Sequence, residues 1–251
     1  RSYANDGDYD KAMSIYTKAL EIGEKNKLYN LVGYTYSYMG DLYTAKAMRT
    51  EAIKKYEMAA NNFKKENNTD SYVCALRDMG REYACTDSIS RGLEILIMAD
   101  SIAETSEDKD VKASIENTLG NIYVMQNNYD KAQKCFYKAL EGRNKMPNYI
   151  ALIDLYITSD SLKQAKELLQ RVPQDNPDYT YSIKNLYYQI YKSEGNYKEA
   201  LTNLEEYTEI VDSLIYADSQ SKILDIETKY NNLKIEKEVI DLKNKEQSYI
   251  I

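Results

Sequence analysis

Residues that could perform catalysis are few in this sequence. Its 251 residues include no histidine, which excludes histidine-dependent triads, histidine metal sites and a histidine proton switch. The three cysteines, Cys74, Cys85 and Cys135, have no CxxC spacing, so we expect buried thiols rather than a metal site or a disulfide framework. Adjacent carboxylates such as Glu205 and Glu206 are typical of a solvated helix face. The sequence therefore predicts no enzyme, no cofactor and no metal.

The charge and composition narrow the class of protein further. The formal net charge is −7 and the isoelectric point is about 5.0, which predicts that this chain does not bind nucleic acid directly. Hydrophobic residues make up 43% and charged residues 29% of the chain, with only 9 glycines and 3 prolines. This composition favours an ordered, mostly helical protein. No run of about 18 apolar residues is present, so we expect membrane contact only through a segment following Ile251.

An internal repeat with a period of 40 residues organises the first half of the chain. The tyrosines Tyr3, Tyr43, Tyr83 and Tyr123 follow one another at intervals of 40 residues, and such self-similarity predicts a repeat architecture. Small and aromatic residues recur with the same period. The repeat signature consists of Gly40, Tyr43, Ala52, Tyr56, Ala59, Gly80, Tyr83, Ala99, Gly120, Tyr123, Ala132, Phe136 and Ala139.

The order of these residues resembles the tetratricopeptide repeat (TPR). Each unit has the pattern L/M-G-x-x-Y followed by A-x-x-x-(Y/F/L)-x-x-A, as in residues 119–139. The small residues would let two antiparallel helices approach closely, while Tyr123 and Phe136 fill the space between them. The resemblance implies an all-α, right-handed TPR superhelix of about six helix pairs over residues 1–207.

The units differ in length and in how well they fit the pattern. The early units exceed the family's usual length of about 34 residues, which predicts longer helices and longer loops around 67–70 and 106–109. From the fifth unit onward the spacing contracts, since Tyr156 and Tyr191 lie 33 and 35 residues after the preceding repeat tyrosine. The fifth unit is degenerate because Ile153 stands where glycine is expected.

Residues 208–251 form a separate predicted segment. This stretch contains no glycine or proline, and apolar residues such as Ile226, Tyr230 and Leu233 recur at spacings of 3 to 4. The pattern predicts a long C-terminal helix with weak coiled-coil character. Such a helix could pair two copies of the chain as a homodimer.

This segment also resembles the linker that follows TPR arrays in Bacteroidetes-type membrane-anchored transcriptional regulators and sensor kinases. The resemblance implies that the array lies on the periplasmic side, with a membrane helix after Ile251 and a cytoplasmic output domain. A cytosolic protein with a long terminal helix would have the same sequence features.

The TPR resemblance further implies a concave groove that is lined by the first helix of each pair and binds extended or helical peptides. Counting the repeat glycine as the eighth position places Arg77, Arg81, Asn117 and Asn121 on this wall. The arginines could hold a carboxylate, and the asparagine amides could bind a peptide backbone. The other predicted groove residues are Asp78, Tyr34, Tyr38, Asn185 and Gln189. The alternative is that these are ordinary solvated residues of the wall.

Three hypotheses about function follow. The first is a non-enzymatic, peptide-binding TPR sensor domain of a signalling or transcription-regulating protein. The second is a constitutive, cytosolic TPR scaffold that assembles a protein complex without switching. The third is an auxiliary domain of an enzyme whose chemistry lies outside this chain.

Overall fold

A computed structural model describes residues 9–86, 88–106, 108–174, 176–214 and 216. The helices are α1 (Tyr9–Lys25), α2 (Tyr29–Ala45), α3 (Arg49–Lys65), α4 (Thr69–Ala84), α5 (Ile89–Ala103), α6 (Lys109–Met125), α7 (Tyr129–Ala139), α8 (Met146–Thr158), α9 (Leu162–Arg171), the 3₁₀ turn Pro177–Tyr179, α10 (Thr180–Ser193) and α11 (197–214). The predicted all-α repeat fold is confirmed: sequential helices pack in pairs, from α2 with α3 to α8 with α9. Within the described part, no helix has both the length and the apolar character needed to cross a membrane.

The 40-residue period corresponds to two helices of nearly equal length. Helices α1, α2 and α3 each have 17 residues and begin 20 residues apart. Short connections separate them, in which Lys27, Ala47 and Asn67 adopt φ angles of 55°, 56° and 55°. The prediction of a longer loop around residues 67–70 is wrong, because the extra residues extend the helices instead. Asn68 then caps α4 by accepting a hydrogen bond from the backbone N–H of Ser71 at 3.2 Å.

Replacing Ala47 with glycine is expected to stabilise the protein by about 0.5–1 kcal/mol. A left-handed backbone is strained for a residue with a β-carbon, and Ala47 is exposed, so glycine removes the strain without losing packing. The measurement is urea denaturation followed by far-UV circular dichroism. Ala45→Gly is the matched control, because Ala45 is also exposed but ends α2, where glycine should destabilise. Equal effects of the two changes would contradict the explanation.

Glycines of the repeat signature allow the two helices of a pair to touch. A β-carbon at Gly40 would lie 2.5 Å from the ring of Tyr56, and one at Gly120 would lie 2.5 Å from the ring of Phe136. At Gly80 the nearest atom belongs to Leu96, at 2.8 Å. The aromatic or leucine side chain of the second helix therefore occupies the space that the glycine leaves open. Ala52, Ala59, Ala99, Ala132 and Ala139 of the signature are fully buried in the same interfaces.

The core continues from one repeat to the next rather than forming one central cluster. A first cluster extends from α1 to α7, and a second joins α8, α9 and α10. Phe136 and Leu152 belong to a third cluster that connects α7 with α8. In the degenerate fifth unit, Ile153 is fully buried in the second cluster, together with Ala165. Leu169, which has the register of Phe136 in the fourth unit, is fully buried in the same cluster.

Helix α11 begins after Gly195, whose φ of 73° suits the turn. It continues without a break past residue 208 to residue 214. The start of the predicted C-terminal segment is therefore part of the second helix of the sixth repeat. The rest of that segment, apart from residue 216, lies outside the described residues, as does Tyr3, and the coiled-coil and homodimer hypotheses remain predictions.

Candidate functional site

Two adjoining cavities lie along the first helices of the third to sixth repeats. One, here called the cationic cavity, has a volume of about 470 Å³ and is lined by residues of α4, α6, α8 and the loop before α8. Its lining residues are Arg77, Arg81, Asp110, Ala113, Ser114, Asn117, Thr118, Asn144, Pro147 and Asn148. The other, here called the aromatic cavity, has a volume of about 450 Å³. Its lining residues are Asn117, Asn121, Pro147, Ile150, Ala151, Asp154, Tyr179, Tyr181, Ser182, Asn185, Leu186, Gln189 and Tyr207.

The two cavities share Asn117 and Pro147, and together they form what we call the groove. Six of the predicted site residues line it, namely Arg77, Arg81, Asn117, Asn121, Asn185 and Gln189. The structure therefore brings together side chains that are more than 100 residues apart in sequence. Their role in binding remains a prediction.

In the cationic cavity, Arg77 is held in place by partners of its own. Its guanidinium donates from Nη2 to both carboxylate oxygens of Asp78 at 2.9 Å, and from Nη1 to Ser114 Oγ at 3.0 Å. Burial alone would lower the pKa of Arg77, but the charge and hydrogen bonds of Asp78, together with the charges of Cys74 and Asp41, outweigh it and the pKa is raised. Arg77 is thus a permanently charged group that joins α4 to α6.

Arg81 is the more accessible cation of this cavity. Its Nη1 lies 3.2 Å from Asp78 Oδ1 and its Nε lies 3.6 Å from Glu82 Oε1, yet 41% of its side chain is exposed. The carboxylate of Glu82 is only 1% exposed and has a closer partner in Arg49, at 2.9 Å. A chain of charges therefore runs from Arg49 on α3 to the groove.

The carboxylate of Asp110 on the same wall is neutralised by Arg143. The backbone N–H and the side chain of Arg143 both donate to it, at 2.7 and 2.6 Å, and these bonds lower the pKa of Asp110. Since Asp78, Glu82 and Asp110 each have an arginine partner, Arg81 leaves this end of the groove with cationic character.

Amide side chains form a ladder between the cavities. Asn121 Nδ2 donates to Asn117 Oδ1 at 3.1 Å, and Asn117 Nδ2 donates to Asn148 Oδ1 at 2.6 Å. The buried Asn148 in turn donates to the carbonyl oxygen of Ala139 at 2.9 Å. The ladder fixes Asn117 in orientation, while Asn121 remains exposed at its outer end. Sequence analysis missed Asn148, which lies on α8 in the degenerate fifth repeat and outside the groove-facing positions of the repeat.

The aromatic cavity contains a carboxylate that sequence analysis also missed. Asp154 lies on α8, and its carboxylate has no hydrogen-bond or ion-pair partner in the described part of the chain. The residue is exposed, yet desolvation by the surrounding groups raises the pKa of this carboxyl. The signal for Asp154 was present in the sequence, because counting from Ile153 as the repeat's eighth position gives the same register as Arg81 and Asn121. Tyr179, Tyr181 and Tyr207 complete this cavity and come from outside that register.

Comparison with known proteins agrees with this architecture. Two tetratricopeptide-repeat family models match the chain, one over residues 1–27 and the other over residues 123–190. The structure is similar to that of BtubC (BKLC) from P. vanneervenii, with a TM-score of 0.66 and 16% identity, covering 82% of this chain and 90% of that chain. The fold is a tetratricopeptide-repeat solenoid. The pilF protein of Pseudomonas aeruginosa is also similar, with a TM-score of 0.59, 15% identity, and coverage of 88% of this chain and 93% of that chain. No curated protein matches the sequence.

Three predicted groove residues of this TPR solenoid lie outside both cavities. Tyr34 packs edge-on against Phe63, and its hydroxyl is 2.8 Å from Ser71 Oγ. Tyr38 stacks on Tyr16 with ring centroids 6.1 Å apart. Asp78 does not line the groove but forms ion pairs with Arg77 and Arg81, which do. Contact of these side chains with a ligand stays a prediction.

A second titratable cluster lies between α5, α6 and α7 of the TPR array. Glu116 is 1% exposed, and Lys138 Nζ donates to it at 2.7 Å. Burial and the neighbouring Glu116 raise the pKa of Cys135 to about 12, so this buried thiol is unreactive. The expectation of three buried thiols holds for Cys135 but not for Cys74, which is half-buried, and it is wrong for Cys85, which is exposed because it follows the last turn of α4. In the described part of the chain, no group of three or more Cys, Asp or Glu residues is placed to hold a metal ion.

Asp100→Asn is expected to stabilise the TPR array by about 1 kcal/mol at neutral pH. The Oδ1 atom of Asp100 is buried and has no hydrogen bond from any described residue, and burial followed by the charge of Glu116 raises the pKa of this carboxyl. The folded state therefore holds the proton to higher pH than the unfolded state does. Stability is lost as the pH rises from the unfolded pKa of about 3.9 through the raised folded value.

The gain from Asp100→Asn should consequently shrink toward zero as the pH falls below about 3, where the carboxyl is protonated in both states. Urea denaturation at several pH values measures this dependence. Glu57→Gln, which removes an exposed carboxylate from α3, serves as the control and should change stability little at any pH. A gain that does not depend on pH would contradict the assignment to charge.

Proposed function

We propose that this chain is a non-enzymatic peptide-binding module whose groove holds an extended segment of a partner protein. TPR folds generally bind protein or peptide partners and generally act as scaffolds. The observation that carries the proposal is the continuity of the groove: the two cavities meet at Asn117 and Pro147 and cross four successive repeats. An extended peptide matches such a long, shallow site better than a compact small molecule does.

The chemistry of the groove supports binding of a peptide backbone and a carboxylate. Arg81 presents a partly exposed guanidinium, which pairs well with carboxylates. Asn121, Asn185 and Gln189 supply amides that can both donate to and accept from a peptide bond. Arg77 and Asn117 are already paired within the protein, and we assign them the role of holding the wall in shape.

The test is selection from a random peptide library with the folded chain, followed by affinity measurement for the selected peptides. We expect the peptides to carry a carboxylate and Arg81→Gln to weaken their binding about tenfold, as loss of one charge-assisted hydrogen bond implies. Arg91→Gln is the matched control, because Arg91 is an exposed arginine on α5 outside the groove. Failure to select any peptide, or equal affinity of the Arg81 and Arg91 variants, would contradict the proposal.

We further propose that the module is the sensor region of a signalling or transcription-regulating protein. Support comes from α11, which places Tyr207 in the aromatic cavity and is tied to α10 by an ion pair between Lys184 and Glu206. A peptide in this cavity would contact the helix that leads into the predicted C-terminal segment. Peptide binding should therefore slow amide hydrogen exchange in residues 197–214.

The competing proposal is a constitutive scaffold that does not switch. The internal pairing of Arg77 and Asn117 favours it, because a wall that is already ordered need not rearrange on binding. A bound peptide that leaves exchange in α11 unchanged would support the scaffold. The sensor proposal places the chain on the periplasmic side of a membrane-anchored protein and the scaffold proposal places it in the cytoplasm, so fractionation of cells that express the intact parent protein separates the two.

A further inference from the structure

We infer that the aromatic cavity binds a cationic side chain, lysine or arginine, of the peptide that lies in the groove. The inference rests on the proposed function and specifies the chemistry of its ligand. It starts from Asp154, which shares the cavity with Tyr179, Tyr181 and Tyr207. A carboxylate beside aromatic rings is the combination that binds ammonium and guanidinium groups, through charge-assisted hydrogen bonds and cation–π contacts.

Asp154 differs from the other carboxylates on and behind the groove wall. Asp78 pairs with Arg77, Glu82 with Arg49, and Asp110 with Arg143. In the described part of the chain, no lysine or arginine lines the aromatic cavity, and the carboxylate of Asp154 has no partner. The carboxylates around the cationic cavity are therefore paired with arginines, whereas the carboxylate of Asp154 is available to bind a cationic group of a ligand.

The surroundings of Asp154 make an incoming cation more favourable than it would be at an open surface. Asp154 is exposed and accessible in the lining of the cavity, while desolvation by the surrounding groups raises the pKa of its carboxyl, and no described residue pairs with the carboxylate. Ile150 and Leu186 form apolar parts of the same lining, against which the methylene chain of a lysine or arginine can pack. A cation would supply the missing partner.

The two ends of the groove consequently have opposite charge. Arg81 lies in the cationic cavity and Asp154 in the aromatic cavity, with Asn117 and Pro147 between them. A peptide that carries both an acidic and a basic group would bind in one direction only. This arrangement selects the direction of the bound peptide, because a reversed peptide would bring like charges together.

The experiment is a protein-observed NMR titration with N-acetyl-lysine methylamide, with N-acetyl-norleucine methylamide as the uncharged probe of similar shape. We expect the lysine probe to shift amide signals of α8 and α10 and to bind about tenfold more tightly than the norleucine probe. Asp154→Asn should abolish this preference, and Asp154→Lys should transfer it to N-acetyl-glutamate methylamide. Glu167→Gln is the control, because it removes an exposed carboxylate from the neighbouring α9 outside the cavity.

The outcomes separate this inference from the proposed function. Equal binding of the two probes, or a lysine preference that persists in Asp154→Asn, would overturn the inference, while selected peptides that depend on Arg81 would still support the groove. Failure of every library peptide to bind would overturn the proposed function and this inference together. Circular dichroism shows whether the Asp154 variants fold, which is expected because Asp154 is exposed and both replacements are polar.

Discussion

Phe136→Ala should lower the free energy of unfolding by about 4 kcal/mol, the largest effect that we expect from a single substitution in this protein. The ring of Phe136 is 1% exposed and fills the space above Gly120. It also belongs to the cluster with Leu152 that connects the fourth and fifth repeats. Its loss therefore leaves a cavity within one repeat and weakens the contact with the next.

The helices that lose amide protection in Phe136→Ala test the explanation as well as the loss of free energy does. Because each repeat contacts only its neighbours, amide protection should fall in α6, α7 and α8 and stay nearly unchanged in α2 and α3. Lys134→Ala, an exposed position on the same helix, is the control and should have little effect. Uniform loss of protection along the chain would contradict a local, repeat-by-repeat core.

A second substitution tests the contact between Phe136 and Gly120 directly. In the wild-type protein, Gly120→Ala should cost about 2 kcal/mol, because the new β-carbon would lie 2.5 Å from the ring. In the Phe136→Ala background that clash is absent, and the higher helix propensity of alanine should make the same change stabilising by about 1 kcal/mol. If Gly120→Ala destabilised the wild-type protein and the Phe136→Ala variant alike, the proposed contact would be refuted.

Arg49→Met is expected to reduce the free energy of unfolding by about 3 kcal/mol. The carboxylate of Glu82 is 1% exposed, and Arg49 is its close partner at 2.9 Å, whereas Arg81 stands at 3.6 Å. Removing Arg49 leaves a buried charge poorly compensated. We place the expected loss at the lower end of the range for broken buried pairs, since 38% of the Arg49 side chain is exposed.

The double variant Arg49→Met, Glu82→Met should recover most of this loss, because an apolar pair of similar volume leaves no charge to compensate. Arg91→Met is the matched control: its pair with Glu94 is exposed on both sides, so removing it should cost less than about 0.5 kcal/mol. Urea denaturation of the four proteins measures these differences. A double variant that is no more stable than Arg49→Met would show that the pair acts through packing rather than charge.

The helices and the contacts between paired helices could be predicted from the sequence because they depend on local spacing. A 40-residue period that includes Gly40, Gly80 and Gly120 determines where two helices must approach closely, and the structure places Tyr56, Leu96 and Phe136 against these glycines. Loop length was less predictable. Extra residues in a repeat can extend either helices or loops, and only the capping and turn geometry around Asn67 and Asn68 decides between them.

The wall of the groove could be predicted from the TPR resemblance together with the helical period of 3.6 residues, because the resemblance indicates which face lines the groove and the period indicates which side chains share that face. Arg77, Arg81, Asn117, Asn121, Asn185 and Gln189 follow from that register. Which of them are available to a ligand was decided only by tertiary structure. Arg77 of the third repeat is paired with Asp78 and with Ser114 of the fourth repeat. Asn117 of the fourth repeat is hydrogen-bonded to Asn148 of the fifth.

The aromatic cavity shows most clearly which features follow from the sequence and which depend on tertiary structure. Asp154 has the register of a groove residue, but whether any described residue pairs with it depends on which side chains the neighbouring helices bring near it, and none does. Tyr179 and Tyr207 reach the cavity from the turn before α10 and from α11. The spacing of residues along one helix determines its faces, whereas the distance and angle between helices determine which charges meet a partner and which remain open to a ligand.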